Sequence, residues 1–96
     1  MKISEMTRTD LKEYAREYND DVETNKTFDI IHKAAKAYIK NYTGLSSEQM
    51  DLKEDLTIAF LVLSNEMYDN RTYTVESDKV NKVVKSILDM HSINLL

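Results

Sequence analysis

The chain has 96 residues, with a single Gly and no Pro, Cys or Trp, a length that makes one domain removing about 60 to 65% of its unfolded surface from water. So little Gly and Pro excludes the tight turns of a sandwich or barrel and any Gly-rich phosphate cradle, and the lack of Cys excludes a disulfide framework and a thiolate site. With 13 Lys and Arg against 17 Asp and Glu the net charge is -4, the wrong sign for a chain whose main task is to neutralise phosphates.

The first predicted helix runs from about Thr9 to Tyr18, with Leu11, Tyr14, Ala15 and Tyr18 on one face and Thr7 with Asp10 as a cap signal. Asn19, Asp20 and Asp21 read as a loop. A second helix, about Thr24 to Thr43, carries Phe28, Ile31, Ala34, Ala35, Tyr38, Ile39 and Tyr42 on one side, and Gly44 suits a left-handed C-terminal cap. Ser46 with Gln49 opens a third helix that should continue to about Asn70. After a loop to Ser77, which can cap the next element, a fourth helix carries the stripe Val80, Val83, Val84, Ile87 and Leu88. The expectation is an all-α protein, a compact bundle of about four helices in one domain over 1–96, with the third helix longest and central. The N-terminus, MKISEMTRTDLKEY, has acidic residues where a signal peptide needs an apolar core, and no window approaches the roughly 18 apolar residues of a membrane span. A soluble protein without a membrane partner is expected, beginning in a cytoplasm.

Charge alternates along the chain. Residues 1–25 hold four basic and seven acidic side chains, 26–43 four and one, 44–70 one and six, and 71–96 four and three. At about 100° per residue, Lys26, Lys33, Lys36 and Lys40 share one stripe of the second helix, and Glu48, Asp51, Glu54, Asp55, Glu66 and Asp69 share one stripe of the third. Two readings stand: both are solvated faces, or one subunit's basic stripe meets another's acidic stripe. Ile58, Leu61 and Val62 interrupt the acidic stripe, so the middle of that helix is apolar all round. Such a helix is enclosed by its own domain or covered by a partner, and four short helices can hardly enclose one of their number. Tyr68, Asn70 and Arg71 end the same helix, either as a cap that satisfies its last carbonyls or as a contact with a neighbouring chain.

Little in the sequence supports catalysis. His32 and His91 are far apart and fit no metal-ligand spacing, and the carboxylate pairs Asp20/Asp21 and Glu54/Asp55 have no evident pocket to separate their pKa values. No P-loop, nucleophile elbow or dinucleotide fingerprint occurs. No enzyme, cofactor or metal is expected.

The acidic loop at Asp20 and Asp21, the stretch AAKAYIKNYTG from Ala34 to Gly44, AFLVLSNEMYDNR from Ala59 to Arg71, and a final amphipathic helix together resemble the small head-tail connector proteins of tailed bacteriophages. These are the head-completion or adaptor proteins associated with DNA packaging. The family's Pro before the last helix is missing from Val75 to Asp78. The resemblance implies a helical subunit of a ring, typically of about twelve copies, located beneath the portal at the head-tail junction of the virion after assembly in the host cytoplasm. Such a ring extends the DNA channel without reading sequence, helps retain the packaged genome and receives the next connector or the tail. It further implies the portal protein as a partner and a C-terminal segment that docks on it, here Ile93, Leu95 and Leu96. The candidate subunit contact comprises Lys33, Lys36, Lys40, Asp51, Glu54, Asp55, Ile58, Leu61, Val62, Tyr68, Asn70 and Arg71. The alternative is a small cytoplasmic helical adaptor or regulator that binds one partner through Ile58, Leu61 and Val62.

Overall fold

Alternating caps and apolar stripes produce an all-α bundle in the computed structural model, which describes residues 1–74 and 80–93. A 3-10 turn, Ile3–Glu5, precedes α1 (Arg8–Tyr14), α2 (Val22–Thr43), α3 (Ser47–Asp51), α4 (Glu54–Asn70) and α5 (Lys82–His91). The Cα atoms extend over 45 × 27 × 17 Å, and the short dimension is that of two helix layers packed about 10 Å apart.

The helix starts follow the expected chemistry. The Thr7 hydroxyl accepts from the Asp10 amide at 3.3 Å while the Asp10 carboxylate accepts from the Thr7 amide at 2.8 Å, a reciprocal pair that satisfies two orphan donors. Ser46 and Gln49 repeat that arrangement at α3, and Asp21 accepts from the Thr24 amide to start α2. Ser77, the expected cap of the last helix, lies outside the described residues; the cap seen at α5 is Asn81, whose carbonyl oxygen accepts from Val83 at 2.8 Å.

Three helices close through a left-handed residue. Gly44 closes α2 at φ 73°, donating to the Lys40 carbonyl as expected. Two arginines do the same work elsewhere. Arg16 (φ 57°) stops α1 four residues short of Tyr18, with Glu17 donating back to Lys12 and Arg16 to Glu13. Arg71 (φ 51°) stops α4, with Thr72 donating to Met67. Both are Schellman closures in which a non-Gly residue takes the left-handed position. With α1 ended early, Tyr18 leaves the expected apolar face and stands 79% exposed, and Tyr14, the last residue of the helix, is 48% exposed.

The third expected helix is two helices. Leu52 and Lys53 form a joint in which Lys53 has left helical geometry (φ -112°, ψ 94°), so α2, with 22 residues, is the longest element. The break exchanges two side chains: Met50 becomes buried and Leu52 becomes 78% exposed. The joint is tied to the N-terminus, since the Asp51 carboxylate accepts from the Ser4 amide at 3.0 Å and its hydroxyl at 2.7 Å. α4 is central as expected, touching α1, α2, α5 and the 3-10 turn. Phe28, Ile31, Ala35 and Ile39 of α2 meet Leu56, Ala59, Phe60 and Leu63 of α4 in the core, which Val84 and Leu88 of α5 complete. Val83, expected in that last stripe, is 55% exposed.

Candidate functional site

The acidic stripe is divided by what its members hold. Asp51 is engaged with Ser4, and those hydrogen bonds keep its carboxyl below the ordinary value. Asp55 accepts from His91 Nε2 at 2.7 and 2.8 Å. Glu66 accepts from the Asn81 side-chain amide at 2.7 Å. These two bonds pin the ends of α5 to opposite ends of α4 and fix the pair as antiparallel. Glu54 and Asp69 remain exposed at the two ends of the α4 outer face.

Tyr68 and Arg71 likewise serve the subunit itself. The Tyr68 ring lies 4.4 Å from that of Phe28, and its hydroxyl donates to Glu17 at 2.6 Å. That bond pushes the Tyr68 hydroxyl up from its ordinary value and draws the Glu17 carboxyl down. The Arg71 guanidinium sits 3.9 Å above the Tyr68 ring and donates to the Tyr68 carbonyl oxygen, in the cap geometry. Asn70, the last residue of α4, is exposed.

Between the two pins runs an uncovered apolar flank. Ile58 is 54% exposed, while Leu61 and Val62 are half-buried against the core. On α5, Val83, Ile87 and Met90 recur at four and three residues, and so lie along one line of the helix. Lys85 and Asp89 mark the side of α5 turned to α2, where Asp89 accepts from Tyr42 and pairs with Lys85 at 2.7 Å. The Val83 line is therefore on the opposite side of α5, where Ile87, like Val62 of α4, packs partly against the core. Met90 at 69% and Val83 at 55% exposure make the uncovered flank wider than the sequence indicated.

The outer face of α2 has a related but unlike character. Lys26, Lys33 and Lys40 are exposed along it and Lys36 is half-buried at its edge. Val22, 82% exposed, and Ile30, 45% exposed, share that arc with Ala37. The basic stripe is thus interleaved with apolar side chains, a feature the charge count concealed.

Both histidines line surface hollows. His32 Nε2 donates to the Met6 carbonyl at 2.8 Å, its ring edge-on to Phe60, beside a hollow of about 320 Å³ shared with Arg8, Asp29 and Lys33. His91 and Asp55 line a wider hollow of about 790 Å³ with Met1, Lys2, Glu5 and the 51–54 joint. A His–carboxylate pair orients a base in hydrolytic sites, but only beside a nucleophile, and the described lining of this hollow has no hydroxyl or thiol. Among the described residues no group of three His, Cys, Asp or Glu side chains could hold a metal ion.

At the C-terminus the Ile93 amide donates to the Thr43 carbonyl at 2.8 Å and its side chain lies over Gly44, 42% exposed. Leu95 and Leu96 lie outside the described residues. No helix among the described residues is long and apolar enough to cross a membrane. Comparison with protein-family models, curated proteins and solved structures finds no match for this chain.

Proposed function

We propose that this chain is a structural head-tail connector of a tailed phage or prophage: a ring subunit beneath the portal that extends the DNA channel, helps retain the genome and joins head to tail, with no catalytic step of its own. The observation that carries the reading is the pair of segments AAKAYIKNYTG and AFLVLSNEMYDNR. They are the parts of the chain that resemble the connector family, and they form the two helices, α2 and α4, around which the bundle is built. A ring subunit also needs two different outward surfaces, and the basic-apolar face of α2 and the acidic-apolar flank of α4 and α5 supply an unlike pair.

The test is genetic and biochemical. Deleting the gene from a strain that produces the particles should leave heads that package DNA, lose it and fail to join tails, and purified protein should restore joining. Tailed, infectious particles after deletion would refute the reading. The second reading, a helical adaptor for one cellular partner, is favoured by the exposure of Ile58. It requires the chain to be missing from purified virions, whereas the connector reading requires several copies in each.

A further inference from the structure

We infer that the segment from Met1 to Glu5 is a latch on the joint between α3 and α4. While it is seated the helix is broken at Lys53; when it lifts, α3 and α4 join into one helix from Ser47 to Asn70, turning Leu52 into the core and Met50 out of it. The inference concerns the single subunit and does not depend on the connector reading.

Local sequence favours the joined form. Residues 47–70 contain no Gly or Pro. Leu52 keeps helical geometry (φ -80°, ψ -7°), so Lys53 alone departs from it, and Lys53 gives α4 no side-chain cap. The break therefore leaves the Glu54 and Asp55 amides without intrahelical partners and puts Leu52 in water, and something outside the joint must hold it open.

The latch supplies that hold. Asp51 accepts from the Ser4 amide and hydroxyl, and the Thr57 hydroxyl donates to the Met1 carbonyl at 2.7 Å. Ile3 is buried, and its 3-10 turn is the element on which α3 packs. In an uninterrupted helix Asp51 and Thr57 would stand about 120° apart around the axis and about 9 Å along it. Their side chains would then be about 13 Å apart, against the roughly 10 Å that three Cα steps from Met1 to Ser4 can span. A seated latch and a joined helix thus exclude each other. Met6, buried and bonded from His32 at 2.8 Å, is the fixed point about which the latch lifts. Lifting withdraws Ile3 and Met50 from the core and sends in Leu52, so part of the lost burial is replaced and the two forms are alternative packings of one fold.

Asp51→Ala in the full chain releases the Ser4 end of the latch. Amide hydrogen exchange followed by NMR should then slow at Glu54 and Asp55 by at least about tenfold, because both amides gain helical partners in a joined form populated to about nine-tenths. Ser4→Ala leaves the joint's own sequence intact and one of the two bonds in place, and should slow exchange there by less. Thr7→Ala weakens the cap of α1 without touching the joint and should not slow it. Loss of a merely structural contact would speed exchange at these positions, so the sign of the change separates a latch from a brace.

The natural absence of cysteine gives a second readout. Leu52→Cys changes a side chain 78% exposed, and its thiol should be alkylated rapidly in the otherwise wild-type chain. Adding Asp51→Ala should slow that reaction by at least about tenfold, following the population that remains broken. Exchange at Glu54 and Asp55 that is unchanged or faster in Asp51→Ala overturns the inference, as does a thiol at position 52 equally reactive in both backgrounds. A chain that unfolds on losing Asp51 overturns it too, since no joined form then exists to receive Leu52.

Discussion

Replacing Met50 and Leu52 by alanine, one at a time, tests the joint between α3 and α4. In a helix uninterrupted from Ser47 to Asn70, Leu52 would fall within the arc of Leu56, Ala59, Phe60 and Leu63, and Met50 would lie about 130° from its centre. The break reverses this, leaving Met50 1% and Leu52 78% exposed. Met50→Ala should therefore lose transfer free energy and leave a cavity, costing about 3 kcal/mol, a large part of the roughly 5 to 10 kcal/mol available to a domain of this size. Leu52→Ala removes a side chain mostly in water and should stay within about 0.5 kcal/mol of wild type. Followed by far-UV circular dichroism in urea, with a slope of about 1 to 1.5 kcal/mol per molar, Met50→Ala should lower the midpoint by about 2 to 3 M and Leu52→Ala should barely move it. Equal shifts, or a larger one for Leu52→Ala, would refute the broken helix and restore the continuous one.

Two substitutions at left-handed positions should have opposite signs: Gly44→Ala should cost about 1 kcal/mol from backbone strain alone, since its new Cβ meets only Ile93 at an ordinary 3.8 Å, while Arg16→Gly should stabilise by up to about 1 kcal/mol; thermal melts report both. Tyr68→Phe keeps the ring on Phe28 but removes the bond to Glu17, so the melting temperature should fall by about 4 to 8 °C and the Glu17 carboxyl, titrated by NMR, should return upward toward its ordinary value. The pH profile of stability should have two arms. Glu17, Asp20, Asp21, Asp51 and Asp89 are all held down in the folded chain, chiefly by side-chain hydrogen bonds, so their contribution is complete above their unfolded values and is lost as pH falls below about 4. Lys85 is held up by Asp89, and Tyr42 and Tyr68 by their carboxylate partners; their contribution is complete below about pH 10 and is lost as pH rises beyond it. Urea midpoints between pH 3 and 11 that rise toward either extreme would contradict these signs.

What was legible in the sequence was whatever depends on neighbours a few residues away. Thr7 with Asp10 and Ser46 with Gln49 gave two starts, Gly44 gave a stop, and the 3.6-residue spacing of Phe28, Ile31, Ala35 and Ile39 gave the buried face of α2. What was hidden depends on residues distant in the chain. Arg16 and Arg71 carry no marker of a left-handed turn, because a residue other than Gly adopts it only when the surrounding packing outweighs the strain. Nothing local to Leu52 and Lys53 breaks a helix; the exchange with Met50 accompanies a bond from Asp51 to Ser4, 47 residues away. At the candidate surface, a helical wheel sets the six carboxylates on one face of one helix, but the break at Leu52 and Lys53 puts Glu48 and Asp51 on a separate helix, and a wheel cannot tell a free carboxylate from one held by His91 or Asn81. From the sequence the apolar stripe of α5 looks wholly core, because its two flanks, one against α2 and one open, are alike until α4 is in position.

The division of the acidic stripe changes the meaning of the charge pattern. If all six carboxylates were free, the -4 chain would be a repelling surface with a basic helix attached. With Asp51, Asp55 and Glu66 engaged inside the subunit, the outward acids of α4 reduce to a few at the rim of the apolar flank, matched in span by the lysines of α2. Exposed ion pairs of this kind contribute little energy each, so at any subunit contact the exposed apolar side chains would supply most of the affinity and the charges would set register. Such a contact is weak in an isolated pair and strengthens when a ring closes or a template holds neighbours in place, because the second contact is then intramolecular.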